Sequence, residues 1–315
     1  LIGILALTIL IFIFQKKDEK KAEELKLAIE QEAKPLLQKT EQIPAPKQII
    51  KSFIQKKYLM DENTKNFLNF VQAAQTPEEV FTKSASYVLA NQYEDRWVTQ
   101  GDVLVDEKKL VAKIEDSQAA IMKLEPVDYW AMNIVPYEID PVLDSDLIQK
   151  AVAAINKQTN IRFVERNSEK DSVYFRLHSE KACLSYLGKQ GGEQDILINP
   201  EACDYGSILH EMMHAIGFIH EHSREDRDSY VDIHWDQIQE GAKEQFQKLS
   251  SDVWKPSGKF DFESLLLYPS QAFAISHKPS ITKKDGTVFD VNRTHLSKDD
   301  IIKINQIYPA KEEKE

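Results

Sequence analysis

Histidine is missing from this 315-residue chain before His178, and glycine nearly so: only Gly3 and Gly101 precede Gly188. Turns that need positive φ, and chemistry that needs imidazole, are therefore expected in the C-terminal part. Cysteine is scarce too. Cys183 and Cys203 stand alone, too few for a disulfide-rich scaffold or a four-cysteine metal site. Two thiols leave open one bridge in an oxidising compartment or a reduced pair in the cytosol. Basic charge is in deficit, 40 Lys and Arg against 51 Asp and Glu, for a net charge of −11. That balance argues against a nucleic-acid partner.

The chain opens on an apolar run, Leu1 to Phe14, followed by Lys16 and Lys17. The run is short for a membrane span and has the length of a signal-peptide core. No clear small-x-small cleavage site follows, so a cleaved signal peptide and an uncleaved signal anchor both remain open. Either implies an exported protein: secreted, periplasmic or held on the outer side of a membrane.

The histidines fall into a pattern. His210, Glu211, His214, Gly217 and His220 form an H-E-x-x-H-x-x-G-x-x-H run. On an α-helix, positions i and i+4 share a face, so His210 and His214 can point two imidazoles at one ion. Gly217 tolerates positive φ, ends the helix, and lets the chain return His220 to the same ion. Three histidines leave the fourth tetrahedral position of zinc for water, the catalytic rather than the structural arrangement. Zinc lowers the pKa of that water to about 7. Glu211, next to the first ligand, can take the proton and pass it to the leaving group.

Residues 15 to about 40 are dense in Lys, Glu, Ala and Leu, as in a solvated helix or charged stalk. Pro44 and Pro46 break it. Irregular apolar spacing over residues 50 to 92 suggests two short helices. Asp144 or Ser145 can cap a helix with Leu147, Ile148, Ala151, Val152 and Ile155 on one face. Ile161 to Val164 reads as a strand. Val173, Phe175 and Leu177 alternate with Tyr174 and Arg176, as in a half-buried strand. The coarse class is α+β: a mixed sheet, two long helices and an irregular C-terminal half.

Past His220 the chain continues Glu221-His222-Ser223-Arg224-Glu225-Asp226-Arg227-Asp228-Ser229-Tyr230-Val231-Asp232-Ile233. This run resembles the signature of the astacin family of zinc endopeptidases, in the metzincin clan, H-E-H-x-R-x-D-R-D-x-Y-V-x-I. The likeness extends upstream through Cys183-Leu184-Ser185-Tyr186-Leu187-Gly188 and back to Ile134-Val135-Pro136-Tyr137. Downstream it runs through Leu296-Ser297 to Ile307-Tyr308-Pro309. It implies a zincin-like catalytic domain over residues 119–310, binding one catalytic Zn2+ through His210, His214 and His220. Residues 1–14 would then be the signal or anchor, 15–118 a charged stalk and pro-segment, and 311–315 a charged tail.

The resemblance implies more. Cys183 and Cys203 correspond to one of the family's two disulfides; the other is absent, with Asn160 at one of its positions. Ser264-Leu265-Leu266-Leu267-Tyr268 stands at the family's Met-turn, with Leu266 in place of methionine. Such a swap usually costs under about 1.5 kcal/mol. Tyr268 keeps the tyrosine that stabilises the tetrahedral intermediate. The strand at Val173–Leu177 is expected at the cleft rim, where substrate adds antiparallel. Gly101-Asp102 matches the end of the family's F-x-G-D pro-segment motif, making Asp102 a zinc latch. Cleavage between about Ile114 and Ile121, by an activating protease or by the enzyme itself, would free an N-terminus that approaches Glu221. The implied activity is hydrolysis of internal peptide bonds in proteins. Two other readings stay open: a non-catalytic peptide-binding module on the same fold, and a zinc hydrolase of another amide, such as cell-wall cross-links.

Overall fold

The computed structural model describes residues 87–113, 119–254 and 258–310. The expectations for residues 1–14, the stalk and the 311–315 tail lie outside the described residues. Of the two helices expected over 50–92, the part described is instead strand β1 (Tyr87–Tyr93). Its Val88 and Ala90 are buried, the period of two that a strand imposes.

The remaining strands of the main sheet are β2 (Arg96–Thr99), β3 (Val103–Val105), β4 (Leu110–Lys113), β5 (Ala119–Lys123) and β6 (Ile134–Ile139). They continue as β7 (Arg162–Glu165), β8 (Ser172–Leu177), β9 (Cys183–Tyr186) and β10 (Glu193–Ile198). All ten make one mixed sheet in the order β4-β5-β1-β2-β3-β9-β10-β8-β6-β7. The stretch from β10 through β8 and β6 to β7 is parallel, and β9 lies antiparallel on β10. Strands β1 to β4, which precede residue 119, extend the sheet past β9.

This topology corrects one expectation. Val173–Leu177 is not at the cleft rim: β8 is paired with β10 on one side and β6 on the other, so it has no edge to offer a substrate. Of the block from β9 to β7, β7 is one edge and β9 the other; β3 covers β9 in parallel register, Val103 opposite Ser185 and Leu104 opposite Tyr186.

Helix α1 (Ser145–Gln158) begins at Asp144, whose side chain accepts from Asp146 N at 3.0 Å. Its buried stripe is Ile148, Ala151, Val152 and Ile155. Leu147, expected on that face, lies at the stripe's edge and is 39% exposed. Helix α2 (Tyr205–Ala215) is capped by Asp204, which accepts from Ser207 N at 2.8 Å. Every residue from Ile208 to Ala215 is buried, because the helix packs on β9, β10 and α1. Among the described residues no helix is long and apolar enough to cross a membrane.

The second residue of α2 must be small. A Cβ on Gly206 would lie 1.7 Å from the Arg293 carbonyl oxygen. Gly206→Ala is expected to cost about 1–3 kcal/mol by overpacking. A thermal melt of the variant should read a midpoint several degrees lower; an unchanged midpoint would show that the 293 segment gives way freely.

The C-terminal half is irregular, with one small antiparallel pair, β11 (Val231–Ile233) and β12 (Ile281–Lys283), and helix α3 (Lys298–Ile307) behind a Ser297/Asp300 capping box. Two cores result. One lies under the main sheet and includes α1 and α2; the other gathers Val231, Ile238, Phe246, Phe260 and Ile281. The turn Ser264–Tyr268 straddles both, Leu265 and Leu266 in the first, Leu267 and Tyr268 in the second. Cys183 and Cys203 are joined in a disulfide that ties β9 to the entry of α2. Where the second family bridge is missing, Asn160 N donates to Asn305 Oδ1 at 2.7 Å, linking the β7 entry to α3.

Candidate active site

The zinc-binding run folds as its spacing predicts. His210 and His214 project from α2 one turn apart, their ring centroids 4.7 Å apart. Gly217 takes φ +98, and a Cβ there would meet Tyr129 and Val127 at 2.8 Å. The reversed chain brings His220 Nε2 to 3.2 Å from His210 Nε2, which in turn is 3.1 Å from His214 Nε2.

The donor set fits a tetrahedral cation. Ligands about 2.1 Å from one ion sit roughly 3.4 Å apart. His210 Nδ1 donates to Leu265 O at 2.9 Å and His214 Nδ1 to Phe218 O at 2.7 Å. Each of those rings therefore turns an unprotonated Nε2 inward, an arrangement that repels itself unless a cation sits between. Burial holds His210 down at about 4 and pulls His220 below its ordinary value, keeping both neutral as ligands must be.

Asp102 completes the group. It carries one oxygen 3.2 Å from both His210 Nε2 and His220 Nε2, and the other 3.4 Å from His214 Nε2. These four residues are the candidate metal-binding group among the described residues. Burial pushes the Asp102 carboxyl up, but its three histidine neighbours, His220, His214 and His210, outweigh it and hold it well below the usual range. Asp102 is brought there by the turn between β2 and β3, where Gln100 and Gly101 take φ 53 and 91. A side chain at Gly101 would meet Tyr268 Oη at 2.6 Å.

Glu211 is 2% exposed, and its Oε2 has no hydrogen-bond partner. Burial, then the charge of Asp102, push its proton affinity well above the carboxylate norm. Tyr268 Oη donates to Gln100 O at 2.9 Å, so the segment before β3 engages the phenol as well as the histidines. The Tyr268 ring stacks on His222, centroids 4.0 Å apart, and His222 stacks on His220. Glu221 is already engaged through one oxygen: Oε1 accepts from Lys303 Nζ at 2.8 Å, Arg224 Nη1 at 3.0 Å and Asp261 N at 2.8 Å. Ala119, the expected new N-terminus, is instead in β5 opposite Asn91 of β1.

Sequence reasoning missed several residues that touch the site. His222 lies in the recognised run but offers no spacing signal for a stacking role. Gln100, Glu244 and Arg293 carry no local signal at all. Glu244 accepts from Asn91 Nδ2 of β1 at 2.8 Å, and burial raises its carboxyl from 4.5 to about 7. A raised acid favours the folded, proton-bound form. Its contribution is whole below pH 4.5 and is lost as pH rises through about 7. Glu244→Gln should remove that slope, roughly 3 kcal/mol over the window, from the melting temperature of the uncleaved chain read against pH. An unaltered slope would exclude Glu244 as its source.

A family model described as Astacin, a peptidase family, matches residues 122–309. Zinc metalloproteinase nas-4 of Caenorhabditis elegans is 32% identical over 215 residues, 67% of this chain and 68% of that protein. Astacin-like metalloprotease toxin 1 of Loxosceles intermedia is 31% identical over 230 residues, 67% of this chain and 85% of that protein. Among solved structures, High choriolytic enzyme 1, a hatching enzyme zinc-protease from Oryzias latipes (Medaka fish), aligns with a TM-score of 0.53 at 32% identity. That alignment covers 59% of this chain and 95% of the other. With three histidines converging on one metal position behind a buried glutamate, and a matching family over most of residues 119–310, the chain belongs to the astacin family of zinc metalloendopeptidases.

Proposed function

We propose that this endopeptidase is an exported zymogen, held inactive by its own residues 87–113, with Asp102 as the fourth zinc ligand. The observation that carries the latch is the Asp102 carboxylate within 3.4 Å of all three histidine Nε2 atoms. Zinc, when held by His210, His214 and His220, supplies an acidified water and a polarised scissile carbonyl. Glu211 takes the proton of the attacking water and delivers it to the leaving amine nitrogen. Tyr268 donates its phenol to the developing oxyanion once Gln100 no longer holds it. Substrate adds to the edge of β9 in place of β3, so its main chain carries much of the binding.

Docking of residues 87–113 is supported by more than the latch. Arg96 Nη1 pairs with Asp195 Oδ2 at 3.0 Å, Ser185 N donates to Asp102 O at 3.0 Å, and Asn91 reaches Glu244. Activation follows cleavage in the 114–121 stretch by another protease or by the enzyme itself; residues 114–118 lie outside the described residues. A new ammonium arriving at Glu221 would join Lys303 and Arg224 on that carboxylate. Export is supported by the Leu1–Phe14 run and the disulfide, and the same run is the candidate membrane anchor.

The test is casein cleavage by the zinc-loaded full chain after limited trypsin digestion, with and without 1,10-phenanthroline. Chelator-sensitive cleavage, restored by added zinc, is expected. Bound zinc with no casein cleavage would move the reading to the peptide-binding module, or, if cell-wall cross-links were cut, to the other amide hydrolase.

A further inference from the structure

The turn beneath the zinc site is held from both sides. Its N–H groups are taken by α3 and Ser264: Asp300 Oδ2 accepts from Leu265 N at 3.0 Å, and Ser264 Oγ, itself donating to Asp300 Oδ1, accepts from Leu266 N. Its carbonyls are taken by groups distant in sequence. Leu266 O accepts from Glu221 N at 3.0 Å. Leu265 O and Leu267 O are both bonded by one guanidinium, that of Arg293: Nη1 donates to Leu265 O, and Nη2 to Leu267 O at 3.1 Å.

Leu265 O is also the acceptor for His210 Nδ1, and Arg293 Nη1 lies 3.0 Å from that nitrogen. Among the described residues Arg293 forms no ion pair within 4.0 Å; apart from the contact with His210 Nδ1, its hydrogen bonds there go to main chain. The backbone of Arg293 is pinned in turn, its carbonyl oxygen set against Gly206 near the start of α2. One residue thus joins the zinc helix, the orienting partner of a zinc ligand, and the residue preceding Tyr268.

We propose that Arg293 is a positioning residue for peptide hydrolysis, its planar fork fixing the Leu265 and Leu267 carbonyls so that His210 and Tyr268 keep one register. The fork matters because two carbonyls on either side of Leu266 must be bonded at once. A lysine ammonium is a point donor on a flexible stem and does not reproduce that geometry. The clamp also bears on the Leu266 position, where the family's methionine is replaced. Arg293 holds the turn by its main chain, whatever side chain sits there. Arg293 acts here on the endopeptidase chemistry described above, and the experiment separates the two.

Arg293→Lys and Arg293→Ala are made in the full chain beside the parent. Zinc affinity is read on the uncleaved chains by chelator competition. The same chains are then activated by limited trypsin digestion and assayed on a fluorogenic peptide at saturating zinc. Zinc affinity is expected to fall about 10- to 100-fold in both variants. The kcat should fall about 100-fold with KM within about threefold. The Arg293→Lys variant should melt close to the parent, and millimolar guanidinium should restore part of the kcat of Arg293→Ala alone. Parental kcat and zinc affinity in Arg293→Lys would overturn the proposal, as would losses confined to KM or melting temperature. A parent that binds zinc but turns over no peptide would sink the endopeptidase reading instead, and the zinc affinities would still decide the role of Arg293.

Discussion

Glu211→Ala is expected to leave zinc bound and peptide hydrolysis reduced by about 10³- to 10⁴-fold. The metal should stay because Glu211 is not one of the four groups around the metal position. Activity should go because a proton acceptor beside the attacking water is lost, about 4–6 kcal/mol of transition-state stabilisation. The fall should lie in kcat, with KM little changed. Glu211→Gln, which keeps shape but cannot take the proton, should behave alike. Turnover within about tenfold of the parent, measured with zinc occupancy near one, would assign the proton acceptor elsewhere.

The second large effect is a gain. Asp102→Ala in the uncleaved chain should raise zinc-dependent hydrolysis at least about tenfold over the uncleaved parent. The increase should stop short of the cleaved enzyme, because β3 still covers β9 and Gln100 still holds Tyr268. Asp102→Asn is the sharper variant: it keeps size and gives up charge. A fluorogenic peptide assay on gel-purified uncleaved chain, with trypsin-activated parent as the upper reference, reads both. No rise in either variant would rule out Asp102 as the latch and leave strand coverage as what could hold the uncleaved chain inactive.

What could be read in the residues was local. His210, Glu211, His214, Gly217 and His220 lie in one helix and the turn that follows, so a repeat of 3.6 and one glycine suffice to bring them together. The Asp144 cap and the α1 stripe were legible for the same reason. The failures share a cause as well. Whether β8 or β9 forms the rim depends on which strands flank each: β6 and β10 enclose β8, and β3 reaches β9 from about 80 residues upstream in a segment of weak pattern. Glu244 meets Asn91 across 153 positions and Arg293 meets His210 across 83. Contacts of that range leave no period. Leu147 failed differently: it sits where the helix stripe ends, and the boundary is set by what packs there.

The position of β5 has a kinetic consequence. It begins at the expected mature N-terminus yet lies between β4 and β1, both on the far side of any cut within residues 114–118. If the chain is activated by such a cut, scission would leave two pieces that still share a sheet, with Asp102 in place. Bond breakage and the onset of turnover would then be separate events, joined by a dissociation step whose rate depends on how fast β5 peels from its neighbours. A time course should show full-length chain disappearing before activity emerges, and the lag should shorten with mild denaturant and ignore the amount of activating protease.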